Sequence, residues 1–269
     1  ITFGTDTDIN ASSATAILWG WKAGNSSGSS NSNGSITSTV SASTDAGFSV
    51  VSWTGSGSAA TIGHGLSATP KYIIVKNRTD SVNWFLYNHS IITAGASNKS
   101  FMTLNETDAL GTNGSATTFT SVSSTTFGVG TDNIINGSSD NMIAYVFAEK
   151  KGYSKFGKYE GNGNSDGPCI HLGFKPAWLM IKQTSGAGND WLLYDNKRDT
   201  FNVASTILVA NGNGAEATGQ SFNFIDLLSN GFKLKGSDAR NNGSGATYIY
   251  MAFAESPQVN SSGVPNNAR

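Results

Sequence analysis

Residues 141–149 read NMIAYVFAE, and the phrase returns as ATYIYMAFAE at 246–255 and, in outline, as ATAILWGWKAG at 14–24. A short apolar run bounded by polar turns is a strand, and side chains on extended backbone alternate between two faces. One face carries Ile143, Tyr145 and Phe147, matched by Ile249, Met251 and Phe253 and by Ile17, Trp19 and Trp21. The other carries Ala144, Val146 and Ala148, matched by Tyr250, Ala252 and Ala254 and by Leu18, Gly20 and Lys22. The large face is expected to fill a sandwich core. The small face is expected to admit a loop, a neighbouring unit or another subunit, which makes the strand a central one in its sheet. Burying Phe147 is worth about 2–3 kcal/mol, so Phe147→Ala is expected to cost about 3–5 kcal/mol.

The copies belong to a longer repeat. GFSVVSWTGSG at 47–57 matches GYSKFGKYEGNG at 152–163, PKYIIVKN at 70–77 matches PAWLMIKQ at 176–183, and NWFLYN at 83–88 matches DWLLYD at 190–195. Runs this short, rich in β-branched and aromatic residues and separated by Gly/Asn/Ser clusters, predict an all-β fold. We expect two tandem β-sandwich, jelly-roll-like domains related by internal duplication, with an N-terminal extra strand. The expected boundaries are 47–150 and 151–257 for the two repeats, with a Ser/Gly/Asn-rich linker at 25–46, in which GSITSTVS at 34–41 alternates like an exposed strand after a loop-like start, and a C-terminal tail at 258–269. Residues 1–24 are read as the final strand of an upstream domain or as an arm, the alternative being insertion into the first repeat. Residues 225–231, IDLLSNG, read as a helix or as a turn before the strand FKLK.

Composition narrows the function. Charged residues make up 13 % of the 269 and the net charge is −1, so no basic field is available for nucleic acid. No apolar run is long enough for a membrane-spanning helix. Cys169 stands alone, which excludes an internal disulfide, and is expected to be a small buried apolar residue. His64 and His171 stand at nearly the same place in the two repeats, too far apart to share a metal, and are expected to satisfy backbone groups in the turn before each Pro-led strand.

Four groupings could carry chemistry. Asp6, Asp8 and Asn10 have the alternating oxygen ligands that suit calcium, though without the Gly and distal Glu of an EF-hand. The Asn/Asp/Gly loops at 131–141 and 236–245 share that ambiguity. Asp132 with Asp140, or Asp226 with Asp238, could be set out as a glycosidase pair, but surface charge is the better reading. Trp53 and Tyr159, matched across the repeats beside Gly-rich turns, are the better candidates for an exposed sugar-stacking platform, whereas Trp84 and Trp191 have apolar neighbours and read as core. The chain carries no P-loop or zinc-protease motif, and no catalytic residue is assigned.

The phrases NGSITSTVSASTDAGFSVVSWTGSG, ATIGHGLSATPKYIIVKN, YSKFGKYEGNGNSDGP, IDLLSNGFKLKG and ATYIYMAFAESP together resemble a repeated C-terminal module of tail-fibre-like and appendage proteins of tailed bacteriophages, especially those of marine bacteria. The resemblance runs from residue 33 to the end. It implies a virion structural protein on the particle surface that takes part in host attachment, and it supplies no catalytic residues to carry over; contact with host-surface glycan is the expected form of that attachment. It also implies neighbours among other virion proteins and a symmetric homo-oligomer such as a trimer. A capsid spike or decoration protein is the alternative, and a polysaccharide-degrading spike is a third.

Overall fold

The computed structural model describes residues 4–5, 10–13, 15–24, 27–95, 100–112, 118–219 and 224–255. The chain is all-β, and the duplication read in the sequence is a duplication of topology. In the first unit, β3 (Phe48–Thr54), β11 (Asn141–Phe147), β5 (Tyr72–Asn77), β6 (Phe85–Asn88) and β7 (Ser100–Thr103) lie side by side in that order. A second, three-stranded sheet runs β4 (Ala60–Gly63), β10 (Thr126–Val129), β9 (Phe119–Val122). The second unit repeats both orders. Its five-stranded sheet is β12 (Ser154–Glu160), β19 (Thr247–Phe253), β14 (Trp178–Gln183), β15 (Leu192–Asp195) and β16 (Leu208–Val209), and its small sheet is β13 (Cys169–His171), β18 (Gly231–Leu234), β17 (Ile225–Leu228). One constant shift in numbering carries Trp53 onto Tyr159, Tyr72 onto Trp178, Asn136 onto Asn242 and Phe147 onto Phe253.

The repeated phrase is the central strand of each large sheet. β11 pairs antiparallel with β3 (Ala144↔Val51) and with β5 (Ala144↔Val75), and β19 does the same with β12 and β14. It is buried on both sides, as expected, but the two faces are reversed. The small face packs into its own sandwich, where Trp53 meets Phe127 at 5.7 Å and Tyr250 meets Phe232 at 5.6 Å. The opposing small sheet already supplies large rings there, so Ala144 and Ala252 complement them. Tyr250 fits on this face because Gly157 lies beside it, where a Cβ would come within 2.6 Å of the tyrosine oxygen. The large face looks at the other unit: Phe147 and Phe253 lie 5.9 Å apart, and Phe156 reaches Tyr72 at 5.7 Å. One hydrophobic cluster therefore runs from Val40 through Phe147 to Phe253 and joins the units back to back, while a second fills the inside of the second unit.

Backbone and side-chain hydrogen bonds cross the same seam. Trp191 Nε1 donates to the Thr103 carbonyl at 3.0 Å, Leu110 N to the Thr184 carbonyl at 2.9 Å, and His89 Nε2 lies 3.1 Å from the Phe156 carbonyl oxygen.

Three other expectations change. The stretch 25–46 is not a linker: β1 (Ser29–Asn31) and β2 (Ser38–Ser43) extend the first large sheet beyond β3, with Val40 in the core and Ser38 Oγ donating to the Gly63 carbonyl at 2.8 Å. An open edge beside β3 is satisfied this way. β8 (Gly111–Thr112) extends the far edge. IDLLSNG is a strand and hairpin turn, with Leu228 paired to Gly231 across Ser229 and Asn230. Cys169 is exposed on β13 rather than buried. The tail 258–269 lies outside the described residues.

Candidate functional site

At the start of each closing strand stands a clamp that the sequence shows only as a polar loop. In the first unit Asp132 accepts from Ile134 N at 2.9 Å and caps a helical turn, Asn133–Asn136. The turn ends on Asn136, fully buried, whose Nδ2 donates to the Ser58 and Gly130 carbonyls while its Oδ1 accepts from Ser56 N. The second unit repeats the device. Asp238 caps Ala239–Asn242 by accepting from Arg240 N, and Asn242 Nδ2 reaches the Gly236 carbonyl at 2.7 Å and the Asn164 carbonyl at 2.8 Å while Oδ1 accepts from Asn162 N at 2.9 Å. These loops, 131–141 and 236–245, are thus built around an amide. Among the described residues no group of three metal-ligating side chains occurs. Asp140 accepts from Asn77 Nδ2 at 2.8 Å, and Asp226 lies 3.9 Å from Lys235, so the carboxylates considered as an acid/base pair serve the loops and the strand surface.

The sugar platform is overturned by burial. Trp53 is 5 % exposed and Tyr159 9 %, each inside the core of its own unit. Tyr159 stacks on Tyr248 at 5.0 Å and donates its hydroxyl to the Asn241 carbonyl at 2.7 Å. Both sit on the inward face of the strand beside the closing strand, so the Gly-rich turn next to them does not bring them to solvent. Asp6 and Asp8 lie outside the described residues, and Asn10 donates to the Gly4 carbonyl at 2.7 Å.

The histidines are not equivalent. Ile62 faces Phe127 and Ile170 faces Phe232, which makes His64 the counterpart of Leu172 and His171 that of Gly63. His64 is buried, its Nδ1 accepting from Leu66 N at 3.3 Å, and burial pulls its pKa down. His171 is exposed.

The feature with the form of a binding site is a cavity of about 470 Å³ between the two large sheets. Tyr145 and Ile74 of the first unit face Met180, Leu193 and Met251 of the second across it, and Trp84 and Trp178 stand in its walls. The arm closes one side. Residues 17–24 run as extended chain with Ile17, Trp19 and Trp21 turned inward and Leu18 and Gly20 outward. Trp21 meets Trp178 at 5.1 Å and Phe253 at 5.5 Å, and Trp19 meets Trp178 at 6.3 Å. The arm is therefore neither a strand of the described sheets nor an insertion into residues 47–150. It lies on the second unit and over the seam. The alternation in the sequence identified its inward face. What it covers was hidden, because the cavity walls come from parts of the chain far apart in sequence.

A second buried group marks the seam. Lys182, 0 % exposed, donates to the Thr107 carbonyl of the first unit at 3.0 Å and the Asn189 carbonyl at 2.7 Å. Its counterpart Lys76 binds the Val82 carbonyl in the same way, within its own unit. Burial pulls the Lys182 ammonium down from 10.5 to about 8, against the opposing pull of Asp190 and Asp108. Below about pH 8 the fold bears the desolvation of a charge that the unfolded chain keeps in water. Between about 8 and 10 the folded chain has shed that proton and the unfolded chain has not, so stability should rise with pH across this window. Above 10 the trend reverses, because burial holds Tyr159 and Tyr194 protonated in the fold while free tyrosines ionise. Urea titrations at pH 7.5 and 9.5 should show the gain in the parent chain and lose it in Lys182→Met.

A family model described as a domain of unknown function, DUF7483, matches residues 1–257. The chain belongs to the DUF7483 family. No curated protein and no solved structure matches it. The DUF7483 match runs unbroken through the arm, the strands at 29–43 and both units. This agrees with a body in which the arm and the duplicated sandwiches share one hydrophobic cluster.

Proposed function

We propose that the chain is a structural component of a tailed-bacteriophage particle, a tail-fibre-like or appendage module on the virion surface that takes part in host attachment. The observation that carries this reading is the back-to-back fusion of the two units through Phe147, Phe156 and Phe253 into one continuous core. A duplicated sandwich welded in this way is a rigid spacer, suited to an exposed appendage. The buried polar side chains Asn136, Asn242 and Lys182 are engaged in hydrogen bonds that hold loops and seam together. The quoted phrases that resemble the phage module support the same reading, and the low charge suits a particle surface facing variable salt.

With Trp53 and Tyr159 buried, host-glycan contact falls to other surfaces. Phe201 is 85 % exposed on a loop that Asn202 ties to Leu227 by hydrogen bonds in both directions, at 2.8 and 3.2 Å, and among the described residues is the aromatic best placed for such contact. The small strand face, considered earlier as a subunit contact, is occupied by each unit's own core. A homo-oligomer would use the outer surfaces, and a strict monomer by light scattering, in solution and from dissociated particles, would remove it from the proposal. Locating the chain in a particle reconstruction is the deciding test. Density at the tail or an appendage supports the reading, and density confined to the capsid shell replaces it with a decoration role. Release of new reducing ends from host polysaccharide would move it to a degrading spike. Binding of the intact chain to host cells or a glycan array tests the attachment part, and its loss in Phe201→Ala would place the contact.

A further inference from the structure

We infer that the cavity between the two large sheets is a binding site for a single-chain acyl amphiphile, whose alkyl chain lies between the units and whose head carries an oxygen acceptor. The inference goes beyond the virion reading and does not rest on it.

The repeat shows why space is left there. Phe156 fills its side of the seam, packed against Tyr72 at 5.7 Å and Phe147 at 6.1 Å. Its counterpart in the first unit is Val50, which lines the cavity together with Trp178, the counterpart of Tyr72. A valine stands where the other half of the pseudosymmetric seam has a phenylalanine, and Trp21 from the arm covers part of the difference. The remaining volume, about 470 Å³, lies within the range of roughly 300–1,000 Å³ usual for small-molecule sites. Its walls are aliphatic, thioether and aromatic, with the tyrosine ring of Tyr145 among them, which selects an alkyl body over a sugar or a phosphate.

Two further observations select the head and the route. Trp178 is nine-tenths buried, and its indole Nε1 has no hydrogen-bond partner. The Nε1 of Trp19, in edge contact with it, has none either. An unmet buried donor is costly; both nitrogens are covered while the arm lies in place, and a carbonyl or carboxyl oxygen entering as the arm shifts aside would satisfy them. The arm can yield to such a ligand, because among the described residues no backbone hydrogen bond ties 16–23 to either unit, so it is held by side-chain contacts alone. Leu18, 58 % exposed on its outer side, shows that the covering is one chain thick.

The test uses the full chain and cis-parinaric acid, a fluorescent unsaturated fatty acid, read by energy transfer from the tryptophans, four of which, Trp19, Trp21, Trp84 and Trp178, line the site. Saturable transfer at one ligand per chain, displaced by palmitate, is expected. Val50→Phe restores the ring found in the other half of the seam, and Ala210→Phe adds one at the exposed rim. Each should weaken binding at least tenfold while leaving the circular dichroism and the unfolding midpoint close to the parent. Absence of transfer up to the solubility limit of the probe would overturn the proposal. So would binding that both variants leave unchanged, since the probe would then be adsorbed elsewhere on the surface. Should Val50→Phe unfold, Ala210→Phe alone carries the test.

Discussion

Phe253→Ala should destabilise both units together, by about 3–5 kcal/mol, and not the second unit alone. Its ring lies within 6 Å of five others: Phe147 of the first unit at 5.9 Å, Trp21 of the arm at 5.5 Å, and Tyr153, Phe156 and Trp178 at 5.7, 5.7 and 5.9 Å. Deleting it opens a void at the point where arm, first unit and second unit meet, and neighbours drawn from three segments cannot collapse into it at once. Phe147→Ala removes the matching ring from the other side and should cost a similar amount. Because the two rings touch, the double variant should lose less than the sum of the singles. Urea denaturation followed by circular dichroism measures both effects.

Asn242→Ala should cost about 2–4 kcal/mol, a large loss for one polar side chain in a loop. The amide satisfies the Gly236 and Asn164 carbonyls and Asn162 N, and it sits fully buried beneath the start of the closing strand. Alanine leaves those groups without partners, and the bond from Gly163 N to the backbone carbonyl at 242 remains to tie the loop 161–167 to the turn that precedes β19. Asn242→Asp separates the contributions: it keeps the acceptor for Asn162 N but places a carboxylate oxygen against the Gly236 carbonyl, so it should be no better tolerated. Asn136→Ala should show a similar loss in the first unit, since Asn136 makes the same bonds to Ser58, Gly130 and Ser56. Removal of the exposed Asn164 side chain should cost less than about 0.5 kcal/mol. Thermal and urea midpoints of these variants provide the check.

Much of the fold was legible. Local pattern identified the strands, because alternation and Gly/Asn turns are local signals, and the repeat showed which strands correspond. The central place of NMIAYVFAE followed from its being apolar on both faces. Which face went where did not follow, since that depends on the opposing layer: Phe127 and Phe232 fill the inside of each sandwich and leave the large face for the partner unit. The alternation of GSITSTVS marked a strand, but its place in the sheet and the burial of Val40 did not show, because both come from pairing with β3 rather than from its own hydrophobicity. The site was less legible than the fold. Trp53 and Tyr159 drew attention by neighbouring Gly-rich turns, yet their direction on the strand buried them. The clamps at Asn136 and Asn242 left a readable trace, an Asp followed four residues later by Asn and then Gly in both units. The cavity left almost none, because its walls come from stretches far apart in sequence, with Val50 standing where the other unit has Phe156.

Two copies of one sandwich are fused through the large faces of their closing strands, so the two units should unfold as one cooperative body. Scanning calorimetry of the parent chain and of Phe253→Ala reads that cooperativity. One transition is expected in each, with calorimetric and van't Hoff enthalpies equal and the whole peak displaced in the variant. Two separable transitions, of which the substitution moves only the one belonging to residues 151–255, would contradict it.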